Sequence, residues 1–198
     1  PWINPEPILK EYDDFDKLQM PDFYKSGLMP KVHEFYDRFQ EMVDNKLNVV
    51  FPDWLYSPFG IATHLRGLTN LLMDLHINPE WVHKLLRFIV DGRKEWVLAR
   101  AKFLDKKIDK TRLFNDEVDC PVISPANYRD IILPYELEIE QLHSGIIYFH
   151  SCGNLTKLMH EIRKIRSLEM LHIGPWTDMD KAKDVFGDDT VFDICLNP

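Results

Sequence analysis

The sequence predicts an α/β fold built on a parallel sheet. Short β-forming runs alternate with helical patterns along the chain, and each of those runs ends in a cluster of polar, chemically capable residues. With 45% hydrophobic content over 198 residues, there is enough apolar material for one globular domain with a sizeable core, so a single domain is expected over residues 1–198.

The elements follow in order. Asn48-Val49-Val50-Phe51 is the first β-like run, with a strand expected over 48–51. Ser57-Pro58-Phe59-Gly60 then opens a helical stretch carried by Leu65, Leu68, Leu72 and Leu75. Asn78-Pro79-Glu80 is a clearer start: a capping side chain, a proline where its missing N–H costs nothing, and an acid facing the helix dipole. Val82, Leu85, Leu86, Ile89, Trp96 and Val97 continue it as one long helix with a single buried face. Further strands are expected over 112–115, 145–150, 169–173 and 190–195. Between them, Ser124-Pro125 opens a helix bent at Pro134, which has no N–H to donate, and Leu155, Leu158, Met159, Ile162 and Ile165 mark another.

Function is sought at the strand ends, because sites in parallel α/β folds lie at the carboxyl ends of strands. Leu113-Phe114 runs into Asn115-Asp116-Glu117, and Ile146 to Phe149 into His150-Ser151-Cys152. Met170-Leu171 runs into His172 and then Trp176, and Val191 to Ile194 into Cys195. The acidic cluster and His150 are therefore expected to line one cavity, with His172 and Trp176 at its rim. A cysteine near a strand end is by itself most often a small core hydrophobe, and Cys120 reads so. Asp116 and Glu117 are equally readable as solvated loop acids, while His33, His76, His83, His143 and His160 fall in helical or loop stretches that suit a surface. His150 and Cys152 stand apart. Two residues apart on an extended segment, they point the same way, and imidazole with thiolate is a zinc donor set. Gly153 lets the backbone pass close to an ion, and Asn154 suits a cap. A third ligand is needed; Cys195 is the other cysteine at a strand end, and Asp116 or Glu117 the oxygen alternatives.

Composition excludes several classes. The 24 basic residues against 32 acidic ones, with pI near 5.5, argue against a surface that neutralises nucleic-acid phosphates. Three scattered cysteines make no disulfide framework and suit a reducing cytoplasm. No apolar run reaches the roughly 18 residues of a membrane helix. The chain begins at Pro1 without methionine and stops at Asn197-Pro198 just after a β-like run, so a part of a longer polypeptide is expected.

Taken together, several segments resemble the uroporphyrinogen decarboxylase superfamily and, within it, the corrinoid-linked methyltransferase branch. They are Ser57-Pro58-Phe59-Gly60 with Leu65-Arg66-Gly67, Leu72 to Val82, Ser124-Pro125 to Leu133-Pro134-Tyr135, His150-Ser151-Cys152-Gly153-Asn154, Phe186-Gly187-Asp188 and Leu196-Asn197-Pro198. The resemblance covers roughly residues 48 to 198. It implies a (β/α)8 barrel of the TIM type, of which the chain holds the middle and later strands, with the first strands and the last absent. It also implies zinc at His150 and Cys152 and a corrinoid, methylcobalamin, presented by a separate corrinoid protein. A small thiol such as coenzyme M is the acceptor, activated by the metal as thiolate. In that reading Cys195 is the candidate third ligand, although the family's last cysteine falls beyond residue 198. Glu117 and Asp116 complete the ligand set or take the thiol proton, and Asn115, His172 and Trp176 are the candidate cofactor contacts.

Departures from the family pattern separate its branches. His64 stands where the decarboxylases carry a tyrosine, and the arginine-bearing N-terminal motif that binds porphyrinogen carboxylates is absent from the chain. A tetrapyrrole decarboxylase is the second reading; it requires Arg66, Arg93, Arg100 and Arg129 to converge on a basic pocket, which their spacing does not predict. A barrel that binds a corrinoid or a partner without turnover is the third.

Overall fold

In the computed structural model, which describes residues 6–44 and 46–195, the alternation becomes four strands, β1 (Thr111–Phe114), β2 (Ile146–His150), β3 (Met170–Ile173) and β4 (Val191–Ile194). They lie side by side in chain order and every pairing is parallel. Sequential parallel strands with helical connections are the winding of a (β/α) barrel, here part of one. The run at 48–51 is a correction: it forms no strand. Phe51 is instead buried in an aromatic cluster with Phe23, His33, Tyr36 and Phe103, at ring separations of 5.1 to 5.7 Å. Side-chain burial there outweighs the β-propensity of Val49 and Val50. The chain reaches the sheet later, through a single parallel bridge from Tyr56 to Phe114. Two backbone bonds fix it, Phe114 N–H to Leu55 C=O at 2.8 Å and Ser57 N–H to Phe114 C=O at 2.9 Å.

The helices are α1 (Met29–Val43), α2 (Pro58–Arg66), α3 (Leu68–Ile77), α4 (Pro79–Phe103), the short α5 (Pro125–Asn127), α6 (Leu133–Leu142), α7 (Met159–Ile162) and α8 (Met179–Phe186). Four of them, α2, α4, α5 and α8, start at a capping side chain. Ser57, Asn78, Ser124 and Asp178 each accept a backbone N–H three residues on, and a proline follows the first three. The stretch read as one helix from Leu65 to Leu75 is two, because Gly67, at φ 82°, breaks it between α2 and α3. A π-helical turn, Tyr128–Ile132, joins α5 to α6 and absorbs the N–H that Pro134 lacks.

The sheet has two faces. Leu113, Phe149 and Leu171 pair across β1, β2 and β3 and are fully buried against the helices. The opposite face carries Phe114, His150 and His172 at its carboxyl end, with Phe114 directly opposite His150. Two charged residues tie the N-terminal half to this frame. Arg66 is buried, paired to Asp74 at 2.8 Å and bonded to the carbonyls of Leu9 and Lys10, so the motif Leu65-Arg66-Gly67 holds down the chain's N-terminal segment. Arg93, buried in α4, donates to Tyr56 C=O and Thr111 Oγ1 and so anchors the bridging segment beside β1. Among the described residues no helix is long and apolar enough to cross a membrane. Leu196-Asn197-Pro198 lies outside the described residues.

Candidate functional site

Two strand-end loops, 115–120 after β1 and 151–154 after β2, are laced to each other by hydrogen bonds. Cys152 N–H donates to Asp116 Oδ1 at 2.9 Å, Cys120 N–H to Asn154 C=O at 2.9 Å, and Ser151 Oγ–H to Val118 C=O at 3.2 Å. Asn154 N–H donates to Asp119 Oδ1. The loop after β3 joins through Thr177, whose hydroxyl donates to Gly153 C=O and accepts from Leu155 N–H. Gly174 is required by this closeness: a Cβ there would lie 2.7 Å from Cys152 O.

The lacing holds three donor groups together. His150 Nε2 is 3.8 Å from Cys152 Sγ, and the His150 and His172 rings are 4.2 Å apart. One ligand atom from each of His150, Cys152 and His172 lies within 4.8 Å of the others. Tetrahedral zinc, with bonds of about 2.0–2.3 Å, sets its ligand atoms roughly 3.3–3.8 Å apart, so small side-chain adjustments bring these three onto one ion. The tautomers agree with this. His172 Nδ1 is 2.8 Å from Ser151 C=O, and a carbonyl only accepts, so Nδ1 carries the proton and Nε2 keeps its lone pair. His150 Nδ1 faces Asp116 Oδ1 at 3.2 Å, without hydrogen-bond alignment. Its Nε2 is thereby turned toward Cys152. The donor set fits zinc.

Electrostatics around the group follow from the same contacts. The His150 imidazole, aided by Cys152 N–H, holds the Asp116 carboxyl below the usual carboxylate range against the opposing effect of burial. Burial pushes the Cys152 thiol up, and the charge of Asp116 adds to it. A thiol raised in this way becomes a thiolate ligand only when a cation compensates it. Glu117 is also raised, chiefly by burial, and its Oε2 is buried without a hydrogen-bond partner. That oxygen sits against α2, where a Cβ at Gly60 would come within 2.8 Å of it.

Beside the donor group opens a cavity of about 620 Å³, lined by Asp53, Leu55, Tyr56, Leu68, Phe114, Asp116, Glu117 and His150. Asp116, Glu117 and His150 thus share a cavity, as their strand-end positions predict. Asn115 does not join them. It is fully buried on the helix side of the sheet, its Nδ2 donating to Glu136, which also accepts from Tyr128 Oη. Strand alternation turns it away from Phe114, and its contribution to the site is a backbone bond, N–H to His150 C=O at 2.8 Å. Cys195 is exposed past β4, with its N–H on Ile173 C=O, and lies outside the three-residue group; His172 is inside it. Trp176 is 68% exposed. Cys120 is a buried thiol, as read, whereas His143 is buried and not a surface group. The wall formed by Asp53 to Tyr56 was not legible, because one β-bridge leaves no run of β-formers to find.

Comparison with known proteins adds to this geometry. A family model described as uroporphyrinogen decarboxylase (URO-D) matches residues 1–192. The chain is 26% identical over 165 residues to a methylated-thiol–coenzyme M methyltransferase of Methanosarcina mazei, a match covering 82% of this chain and 41% of that protein. A solved methyltransferase from Methanosarcina mazei superposes with a TM-score of 0.66 at 14% identity, over 90% of this chain and 52% of that one, which establishes a shared fold. The chain spans about half the length of that structure and less of the curated relative.

Proposed function

The chain belongs to the uroporphyrinogen decarboxylase family, and from that premise we propose that it is the metal-binding part of a methyltransferase, moving a methyl group between a corrinoid such as methylcobalamin and a thiol. The observation that carries this reading is the convergence of His150 Nε2, Cys152 Sγ and His172 beside a cavity. In this reading His172 takes the third position for which Cys195 was the sequence candidate. Zinc held there would supply the Lewis acidity that makes a substrate thiol a thiolate at neutral pH. The rest is work for the chain's own side chains. Asp116 positions both ends of the His-x-Cys pair, through His150 Nδ1 and Cys152 N–H. Glu117, in the cavity wall and with its pKa raised by burial, is the group proposed to accept the proton that the thiol releases. Leu55, Tyr56, Leu68 and Phe114 keep that surface apolar, which suits excluding water from a reactive methyl carrier. A corrinoid protein is the expected partner.

The decarboxylase reading is not supported. Arg66 is held by Asp74, Arg93 by Tyr56 and Thr111, Arg100 by the carbonyls of Phe51 and Pro52, and Arg129 by Asp130, so none lines the cavity. Methyl transfer from methylcobalamin to a thiol, assayed with the complete protein with and without bound zinc, tests the proposal. No transfer by zinc-loaded protein with any thiol would contradict it.

A further inference from the structure

Behind the metal group, on the helix side of the sheet, lies a polar cluster that the chemistry proposed above does not use. Glu136, in α6, accepts a hydrogen bond from Asn115 Nδ2 at 2.5 Å and another from Tyr128 Oη at 2.5 Å, and all three residues are fully buried. Burial pushes the Glu136 carboxyl up to about 7 even against these two donors. At neutral pH the fold therefore keeps a group whose ionisation it opposes, where an apolar side chain would fill the same space without desolvating a charge. Such a group is expected where it holds something in position.

What it holds is the root of the site. Asn115 Oδ1 is buried without a partner, so Glu136 is the tie of this side chain among the described residues. The main chain of Asn115 serves the other side. Its N–H donates to His150 C=O at 2.8 Å, and its C=O accepts from Val118 N–H at 3.0 Å. Val118 C=O in turn accepts at 3.2 Å from the hydroxyl of Ser151, the residue between His150 and Cys152. Next in the chain after Asn115 is Asp116, whose Oδ1 faces His150 Nδ1 at 3.2 Å and accepts from Cys152 N–H at 2.9 Å. Any retreat of Asn115 moves the Asp116 carboxylate relative to the two residues it serves. Tyr128, by contrast, belongs to the turn before α6 and shares only the Glu136 carboxylate with this chain of contacts.

On the metal-site reading given above, we propose that Glu136 is a positioning residue for the zinc group: by gripping Asn115 from the helix side, it sets where Asp116 meets His150 and Cys152, and so how tightly those ligands close on the ion. It touches neither the ion nor the thiol.

The test measures zinc affinity, by competition with a chromophoric chelator, and the visible absorption bands of the cobalt(II)-loaded protein, both on the complete protein and its variants. Glu136→Leu and Asn115→Ala should each lower zinc affinity about tenfold or more and shift the cobalt bands. Combined, they should lower it no further than one alone does, because both break the same link. Glu136→Gln, whose amide still joins Asn115, should keep most of the affinity. Tyr128→Phe, which removes the other partner of the same carboxylate, should leave affinity and bands as they were. The contrast between Asn115→Ala and Tyr128→Phe decides the matter even if Glu136→Leu does not fold. Altered stability with zinc affinity unchanged in Asn115→Ala would make Glu136 a packing group and overturn the proposal, as would an equal loss of affinity in Tyr128→Phe. Zinc bound by none of the proteins, the unsubstituted one included, overturns the metal-site reading and this proposal with it.

Discussion

His150 and Cys152 were legible in the sequence because their relation is local: two residues apart at a strand end, both side chains must emerge on one face. His172 was visible only as a rim residue, since its place beside His150 depends on the register between β2 and β3, in which Tyr148 faces Met170 and Phe149 faces Leu171. Asn115 was misread for a related reason. The strand-end rule finds the cluster 115–117, but the pleat sends alternate residues to opposite sides, and Glu136 was waiting on the helix side. Four substitutions separate the roles. Cys152→Ala should abolish zinc binding while the fold persists, because the core is built by residues such as Ile146 and Phe149; a merely packed thiol would instead leave zinc bound and cost on the order of 1 kcal/mol. His172→Ala should lower zinc affinity comparably, and Cys195→Ala should leave it unchanged, both read by competition with a chromophoric chelator. The reverse pattern would restore Cys195 as the ligand. Asp116→Asn, which weakens the hold on His150 and Cys152, should reduce affinity by about 10–100-fold.

At the level of elements, the caps made the starts of α2, α4 and α5 readable, and Pro134 made the interruption before α6 readable, because each is a local rule about one N–H or one side chain. The strand expected at 48–51 failed because Phe51 is claimed by aromatic neighbours distant in sequence. Two side chains that lock elements together give tests. Glu136, fully buried between β1 and the α5–α6 region, has its pKa pushed up from 4.5 to about 7 by burial, against the hydrogen bonds from Tyr128 and Asn115. A carboxyl that holds its proton more tightly in the fold contributes stability fully below pH 4.5, and that contribution is lost as pH rises through about 7. Denaturation curves should therefore lose roughly 3 kcal/mol between about pH 4.5 and 7 from this group, and Glu136→Gln should flatten that slope. An unchanged slope in the variant would remove Glu136 as its source. Arg66→Ala should cost about 3 kcal/mol, since it strands the buried Asp74 carboxylate, yet leave zinc affinity as it was. A loss of zinc with stability intact would instead put Arg66 at the site.

For the whole molecule, the alternation of strands and helices foretold a parallel α/β sheet, and the barrel came from the family resemblance and not from periodicity. What the chain displays is a section of that barrel, four strands in order, overlapping 52% of a solved relative. β4 is the outer strand among the described residues, with Val191 and Ile194 largely exposed. Val191 and Cys195 donate their N–H groups to β3, so by alternation those of Phe192 and Ile194 face the other way. If the complete protein closes the barrel beyond β4, hydrogen exchange should find these two amides as protected as those of β2; rapid exchange there would mean that the sheet ends at β4. The central claim is that a barrel of this family brings His150, Cys152 and His172 onto one metal ion at the carboxyl ends of its strands. Anomalous diffraction at the zinc absorption edge from crystals of the complete, zinc-supplied protein tests it most directly. The account predicts a single strong peak about 2.0–2.3 Å from His150 Nε2, Cys152 Sγ and His172 Nε2. A peak that excludes His172, or no peak at these residues with zinc in excess, would contradict it.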